Sequence, residues 1–176
     1  MLAYSEIRRD TGHDIWTVRL DATPRQPELF LRTAFEEDLP LFSPDGRWLA
    51  YRSNESGRTE VYIARFPGAA VKRQVSIDGG DQPQWGADGR QLFYLDGSRV
   101  MSVDLNAESG LPVGKPRMLF ERAPSESALN SGQWGHTYAV LPDGKRFLFV
   151  SNPARPEVRE LHVVLNWFEE LKRRVP

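Results

Sequence analysis

The feature that most constrains this chain is a pattern it repeats three times. "LFSPDGRWLAY" (41–51), "QWGADGRQLFY" (84–94) and "VLPDGKRFLFV" (140–150) each set an Asp-Gly pair between two apolar runs. The pairs are Asp45-Gly46, Asp88-Gly89 and Asp143-Gly144, spaced by 43 and 55 residues. A second aligned set is "DIWTVRL" (14–20), "EVYIARF" (60–66) and "RVMSVDL" (99–105), which "ELHVVLN" (160–166) joins less tightly. A third is "ELFLR" (28–32), "RQVSI" (73–77) and "RMLFE" (117–121). An internal period of this size marks a repeat architecture, and it has to be settled before any short motif is given chemical meaning.

The local chemistry selects strands. In the turn, Asp bonds to backbone amides two residues on and Gly accepts positive φ, so the sequence reads as a hairpin connection. The flanking runs are apolar on both alternations: Ile15 and Trp16, or Val61 and Tyr62, point to opposite faces. Such strands need cover on both sides of the sheet. Stacked four-stranded sheets repeating at about 40–45 residues are the blades of a β-propeller.

The expected fold is therefore all-β: a partial propeller of about four blades, two complete and two incomplete, built from four-stranded antiparallel sheets. It spans 1–168, with blades at roughly 2–33, 38–78, 81–121 and 134–168, followed by a short helical tail at 169–176. Leu2-Ala3-Tyr4 matches Leu49-Ala50-Tyr51, so the first blade is expected to lack its first strand. The chain then reads as the C-terminal part of a longer propeller, with open blade edges available for self-association.

Composition narrows the partners. In 176 residues, 23 Lys and Arg balance 24 Asp and Glu, for a net charge of −1. That balance gives no electrostatic case for nucleic acid. No apolar run approaches the roughly 18 residues that span a bilayer, so direct membrane insertion is not expected. The absence of cysteine excludes a disulfide framework, a thiolate metal site and a cysteine nucleophile, and leaves the compartment open.

Few residues read as chemistry. "DGRWLAYRSNES" puts Arg, Trp and Leu where a calcium loop needs oxygens. His13, His136 and His162 come from three blades without paired ligand spacing, so no metal or other cofactor is expected. A serine-hydrolase elbow, Gly-x-Ser-x-Gly, is absent. Asn54-Glu55-Ser56 reads as turn formers, and Lys172-Arg173-Arg174 as the basic end of a helix. The candidate site lies instead in the loops that enter the innermost strands and converge on the channel mouth. These carry Glu37 and Asp38, Asp81 and Gln82, and Gln133 and His136, for a protein or peptide partner. The plainer alternative is that these side chains only solvate the mouth.

The stretches "FSPDGRWLAYRSNESGRTEVYIARFPG" and "GGDQPQWGADGRQLFYLDG" resemble the TolB-like propeller repeat. With "DIWTVRLD" and "VVLNWFEELKRR", the chain is most similar to the C-terminal propeller of bacterial, acidobacterial-type, eukaryotic-like serine/threonine protein kinases. The resemblance implies a non-catalytic sensor or scaffold module lying outside the cytoplasmic membrane in a full-length parent. The alternative it implies is a regulatory fragment of a receptor-type kinase; a third reading is a truncated reading frame without a function of its own. The chain has no glycine-rich phosphate loop, His-Arg-Asp loop or Asp-Phe-Gly. TolB-like repeats also build the gating propeller of prolyl-oligopeptidase-like peptidases, whose hydrolase domain is a separate part of the chain.

Overall fold

The computed structural model describes residues 1–106, 108–123 and 135–150, and every regular element among them is a strand. The first sheet has three strands, β1 (Leu2–Arg8), β2 (Gly12–Val18) and β3 (Pro27–Leu31). The second has four: β4 (Glu37–Phe42), β5 (Trp48–Ser53), β6 (Glu60–Arg65) and β7 (Lys72–Gln74). The third also has four: β8 (Asp81–Trp85), β9 (Gln91–Asp96), β10 (Arg99–Leu105) and β11 (Pro112–Glu121). The fourth shows β12 (Tyr138–Val140) and β13 (Phe147–Phe149). Each sheet is an antiparallel meander in chain order, and among the described residues two sheets have four strands and two have fewer, in keeping with the expected all-β partial propeller. The expected strand at 160–166 and the helical tail at 169–176 lie outside the described residues.

The repeated turn has one geometry in all three copies. Gly46 N–H donates to the Ser43 carbonyl (2.9 Å), Gly89 to Gly86 (3.0 Å) and Gly144 to Leu141 (2.9 Å). The glycines sit at φ of 70°, 69° and 64°, the left-handed region that a Cβ disfavours. The aspartate before each glycine accepts from the amide two residues on: Arg47 to Asp45, Arg90 to Asp88, Lys145 to Asp143. Burial alone would raise the Asp45 carboxyl, but hydrogen bonds from Ser43 and Arg47 and the Arg47 charge bring it down to about 2.

Among the described residues the core is not one body but three seams, each between successive sheets. The strand period of two divides every sheet into a face toward the preceding sheet and a face toward the next. Leu49, Tyr51, Tyr62 and Ala64 face back onto Ile15, with Ala3, Phe30 and Leu31 of the first sheet packed alongside. Trp48, Ala50, Val61 and Ile63 face forward onto Trp85, Leu92, Tyr94 and Val103 of the third sheet. Leu95 and Val100 meet Tyr138 of the fourth, with Phe147 and Phe149. Strands apolar on both alternations are thus buried on both, which is why β5 and β6 lack the usual polar face.

Candidate functional site at the inner-strand ends

β4 and β8 line up side by side as the first strands of their sheets, and each opens with the same irregularity. In β4 the pairing with β5 shifts between Asp38 and Leu41; in β8 the pairing with β9 shifts between Asp81 and Gln84. One extra residue is inserted, a β-bulge that turns the strand end. The residues after the aspartates, Leu39 and Gln82, adopt φ of 54° and 52°. Each aspartate stabilises that conformation by accepting from the amide of its successor, Leu39 N–H at 2.6 Å and Gln82 N–H at 2.8 Å. Pro40 and Pro83 follow, so the local signature is Asp-x-Pro at corresponding places in two repeats.

The bulges turn the two carboxylates toward one cation. Arg52, at the end of β5, donates to Asp38 Oδ2 at 2.8 Å and to Asp81 Oδ1 at 3.2 Å, tying the second sheet to the third. Ser5 of β1 donates to Asp38 Oδ1 at 2.7 Å, tying the first sheet to the second. Burial would raise the Asp38 carboxyl; the Ser5 and Leu39 hydrogen bonds and the Arg52 charge overcome that and hold it below the ordinary range. It therefore stays ionised at neutral pH.

His136 occupies the same place relative to its Asp-Gly turn as Asp38 and Asp81 do. Its Nε2 lies 3.1 Å from the Pro83 carbonyl. Burial pushes its imidazole down, against the Pro83 carbonyl and the charges of Asp81 and Asp38, so the ring is neutral at pH 7. The sequence-predicted Asp38, Asp81 and His136 are thus brought together, one from each of three consecutive sheets. Glu37 and Gln82 are turned into seams. Gln82 is buried, and its Oε1 accepts from Thr137 N–H (2.5 Å) and Thr137 Oγ (3.0 Å) of the fourth sheet. Glu37 is 1% exposed and accepts from the Thr33 hydroxyl, while its Oε2 has no hydrogen-bond partner among the described residues. Burial raises its carboxyl above the ordinary value, outweighing the Thr33 contacts. Gln133 lies outside the described residues.

Sequence reasoning did not single out Ser5 and Arg52. The signal was their shared place in the repeat: each directly follows the aromatic of its second strand, Tyr4 and Tyr51, as Leu95 follows Tyr94. From that position a side chain reaches the strand end of the next sheet. Where Ser5 and Arg52 make polar links, Leu95 packs on Tyr138. Of the other histidines, His13 Nδ1 pairs with Glu36 at 2.5 Å, and His162 lies outside the described residues. Among the described residues no group of three His, Asp or Glu is placed to hold a metal ion. No helix there is long and apolar enough to cross a membrane.

The arrangement can be set beside known proteins. No family model matches the chain. It is 26% identical over 150 residues to an uncharacterized protein of Agrobacterium fabrum, covering 81% of this chain and 48% of that one. It is 33% identical over 79 residues to the Tol-Pal system protein TolB of Thioalkalivibrio sulfidiphilus, covering 44% of this chain and 18% of that protein. The chain thus spans about half the length of the first relative and under a fifth of the second. The crystal structure of TolB from Acinetobacter baumannii superposes with a TM-score of 0.59 at 16% identity, covering 85% of this chain and 35% of that one. Together with the four meander sheets, these likenesses give the chain the fold of a TolB-like β-propeller.

Proposed function

We propose that this chain is a non-catalytic binding module that receives a protein or peptide partner at the inner-strand ends. The observation that carries the reading is the Asp38–Arg52–Asp81 bridge, with His136 from a third sheet turned onto the same end. Two carboxylates and a guanidinium converge there beside a histidine, so the rim is charged and hydrogen-bonding rather than apolar. A partner segment bearing charged or hydrogen-bonding side chains fits that chemistry. A peptide selected on the chain from a random library and titrated by calorimetry tests it. Arg52→Glu should alter affinity by about tenfold or more, while Val113→Glu, an exposed substitution at the opposite end of the third sheet, should leave it unchanged. Equal binding to wild type and Arg52→Glu would place the partner elsewhere.

A finer reading makes the module the extracytoplasmic regulatory part of a receptor-type serine/threonine kinase. It is supported by the similarity of "DIWTVRLD" and "VVLNWFEELKRR" to such propellers. A kinase domain and a membrane helix encoded upstream in the same frame would support it, and a propeller-only frame would count against it.

A further inference from the structure

Among the described residues three carboxyl groups are fully buried, those of Asp14, Glu37 and Glu60, and their surroundings differ. Asp14 Oδ2 accepts from Arg32 Nε at 2.7 Å. Glu60 takes Arg58 Nε (2.7 Å) and the Gly79 amide (3.1 Å) on one oxygen and the Ser76 hydroxyl on the other. Glu37 has no cation in contact: the Thr33 hydroxyl donates to its Oε1, and its Oε2 has no hydrogen-bond partner among the described residues. Burying an isolated carboxylate is costly, so a carboxyl placed in this way keeps its proton. Of the charges on neighbouring elements, Asp14 of β2 favours that proton, and Lys72 of β7, itself paired with Glu55, opposes it. Burial keeps Tyr51 of β5 a neutral phenol. Along the paired row Glu37–Ser53–Glu60 of β4, β5 and β6, the charge of Glu60 is met by Arg58. Beside Glu37 in the chain, Glu36 pairs with His13 and Asp38 with Arg52.

Glu37 opens β4, and the pairing of β4 with β5 shifts between Asp38 and Leu41. The bulge therefore leaves Glu37 and Asp38 as a short segment of their own, paired with Ser53 and Arg52. Asp38 carries both ties described above, to Ser5 of the first sheet and to Arg52. We propose that Glu37 is a proton-operated latch: with its proton it holds the start of β4 in the first seam, and on ionising it leaves the seam and frees Asp38 from Ser5. The charge is solvated only outside the seam, and the bulge lets the segment move while Leu41 and Phe42 stay paired with Ala50 and Leu49. The second seam has Gly80 at the corresponding place and so has no group to ionise there. A partner received at the strand ends would then bind less tightly as pH rises. That consequence rests on the binding reading above; the latch itself does not.

The chain contains no cysteine, so a single introduced thiol reports on one place. Ser53→Cys puts it beside Glu37 above the bulge, and Ala64→Cys at the other end of the same seam, both at fully buried positions. Labelling by a disulfide reagent is read as the ratio of the two rates, in which the thiol's own ionisation cancels. Because the folded chain holds the Glu37 proton above the ordinary 4.5, the ratio should be flat below that value. It should then rise by up to about tenfold per pH unit, the slope of one proton, until Glu37 ionises in the closed seam as well. Glu37→Gln, which cannot ionise, should keep the ratio flat throughout. If Ser53→Cys fails to fold, hydrogen exchange of the Leu39 amide in the unsubstituted chain, corrected for its intrinsic pH dependence, gives the same reading. A rising ratio with a peptide affinity that ignores pH would support the latch and count against the partner site. A ratio unchanged between about pH 4 and about pH 8, or a rise that survives Glu37→Gln, would overturn the latch.

Discussion

The backward faces of the first and second sheets are nearly the same surface in sequence and opposite in environment. Leu49-Ala50-Tyr51 and Leu2-Ala3-Tyr4 share their spelling, yet Tyr51 is fully buried and Tyr4 half-buried. Tyr51 stacks on Tyr62 at 5.8 Å beneath the first sheet, while Trp16, the counterpart of Tyr62, is half-buried with the guanidinium groups of Arg8 and Arg32 near its ring. The difference shows that burial in this fold is a property of having a neighbouring sheet. The repeat writes the same apolar face whether or not the neighbour is at hand. A single sheet cannot bury its own faces, so each seam stabilises the two sheets it joins.

Five substitutions break or sharpen that comparison. The largest effect is expected from Tyr51→Ala, which empties a closed seam and should cost about 3–5 kcal/mol in urea unfolding. Tyr4→Ala, on the open face, should cost under about 1 kcal/mol in dilute protein. Equal losses would mean that the two faces are equally covered. Next comes Gly80→Ala. Gly80 stands at the repeat position of Glu37, but a Cβ there would lie 2.4 Å from Ser76 Oγ and 2.5 Å from Ser76 Cβ. The second seam therefore closes on glycine where the first admits a glutamate, and Gly80→Ala should cost about 1–3 kcal/mol.

Glu37→Gln should act in the other direction. The folded-state pKa of Glu37 lies above its ordinary 4.5, so the folded chain holds the proton more tightly than the unfolded chain. Its unfavourable contribution is absent below that ordinary value and grows as pH rises through the folded pKa. Glu37→Gln should stabilise the protein at pH 7, and the gain should vanish in melts near pH 4. The smallest effect belongs to Tyr51→Phe. The buried Tyr51 hydroxyl has no hydrogen-bond partner among the described residues, so its removal should raise stability by up to about 1 kcal/mol.

Much of the fold was legible because two local signals agreed. The Asp-Gly turn located the hairpins, and apolar residues on both alternations showed that each sheet needed neighbours on both sides. The candidate site was legible only in part. Asp38, Asp81 and His136 could be placed by counting back from the Asp-Gly pairs. The directions of Glu37 and Gln82 could not, because the bulge adds a residue at Leu39 and Gln82 and breaks the period of two on which facing is judged. Arg52 was hidden for a different reason. At the end of an apolar strand it reads as solvent-facing, and its two carboxylate partners lie 14 and 29 residues away.

Hydroxyl-radical footprinting tests the account most directly. Tyr51, Tyr62 and Tyr94 should stay protected, while Tyr4 and Trp16 should label more strongly. Labelling of Tyr51 or Tyr94 as readily as Tyr4 would contradict it.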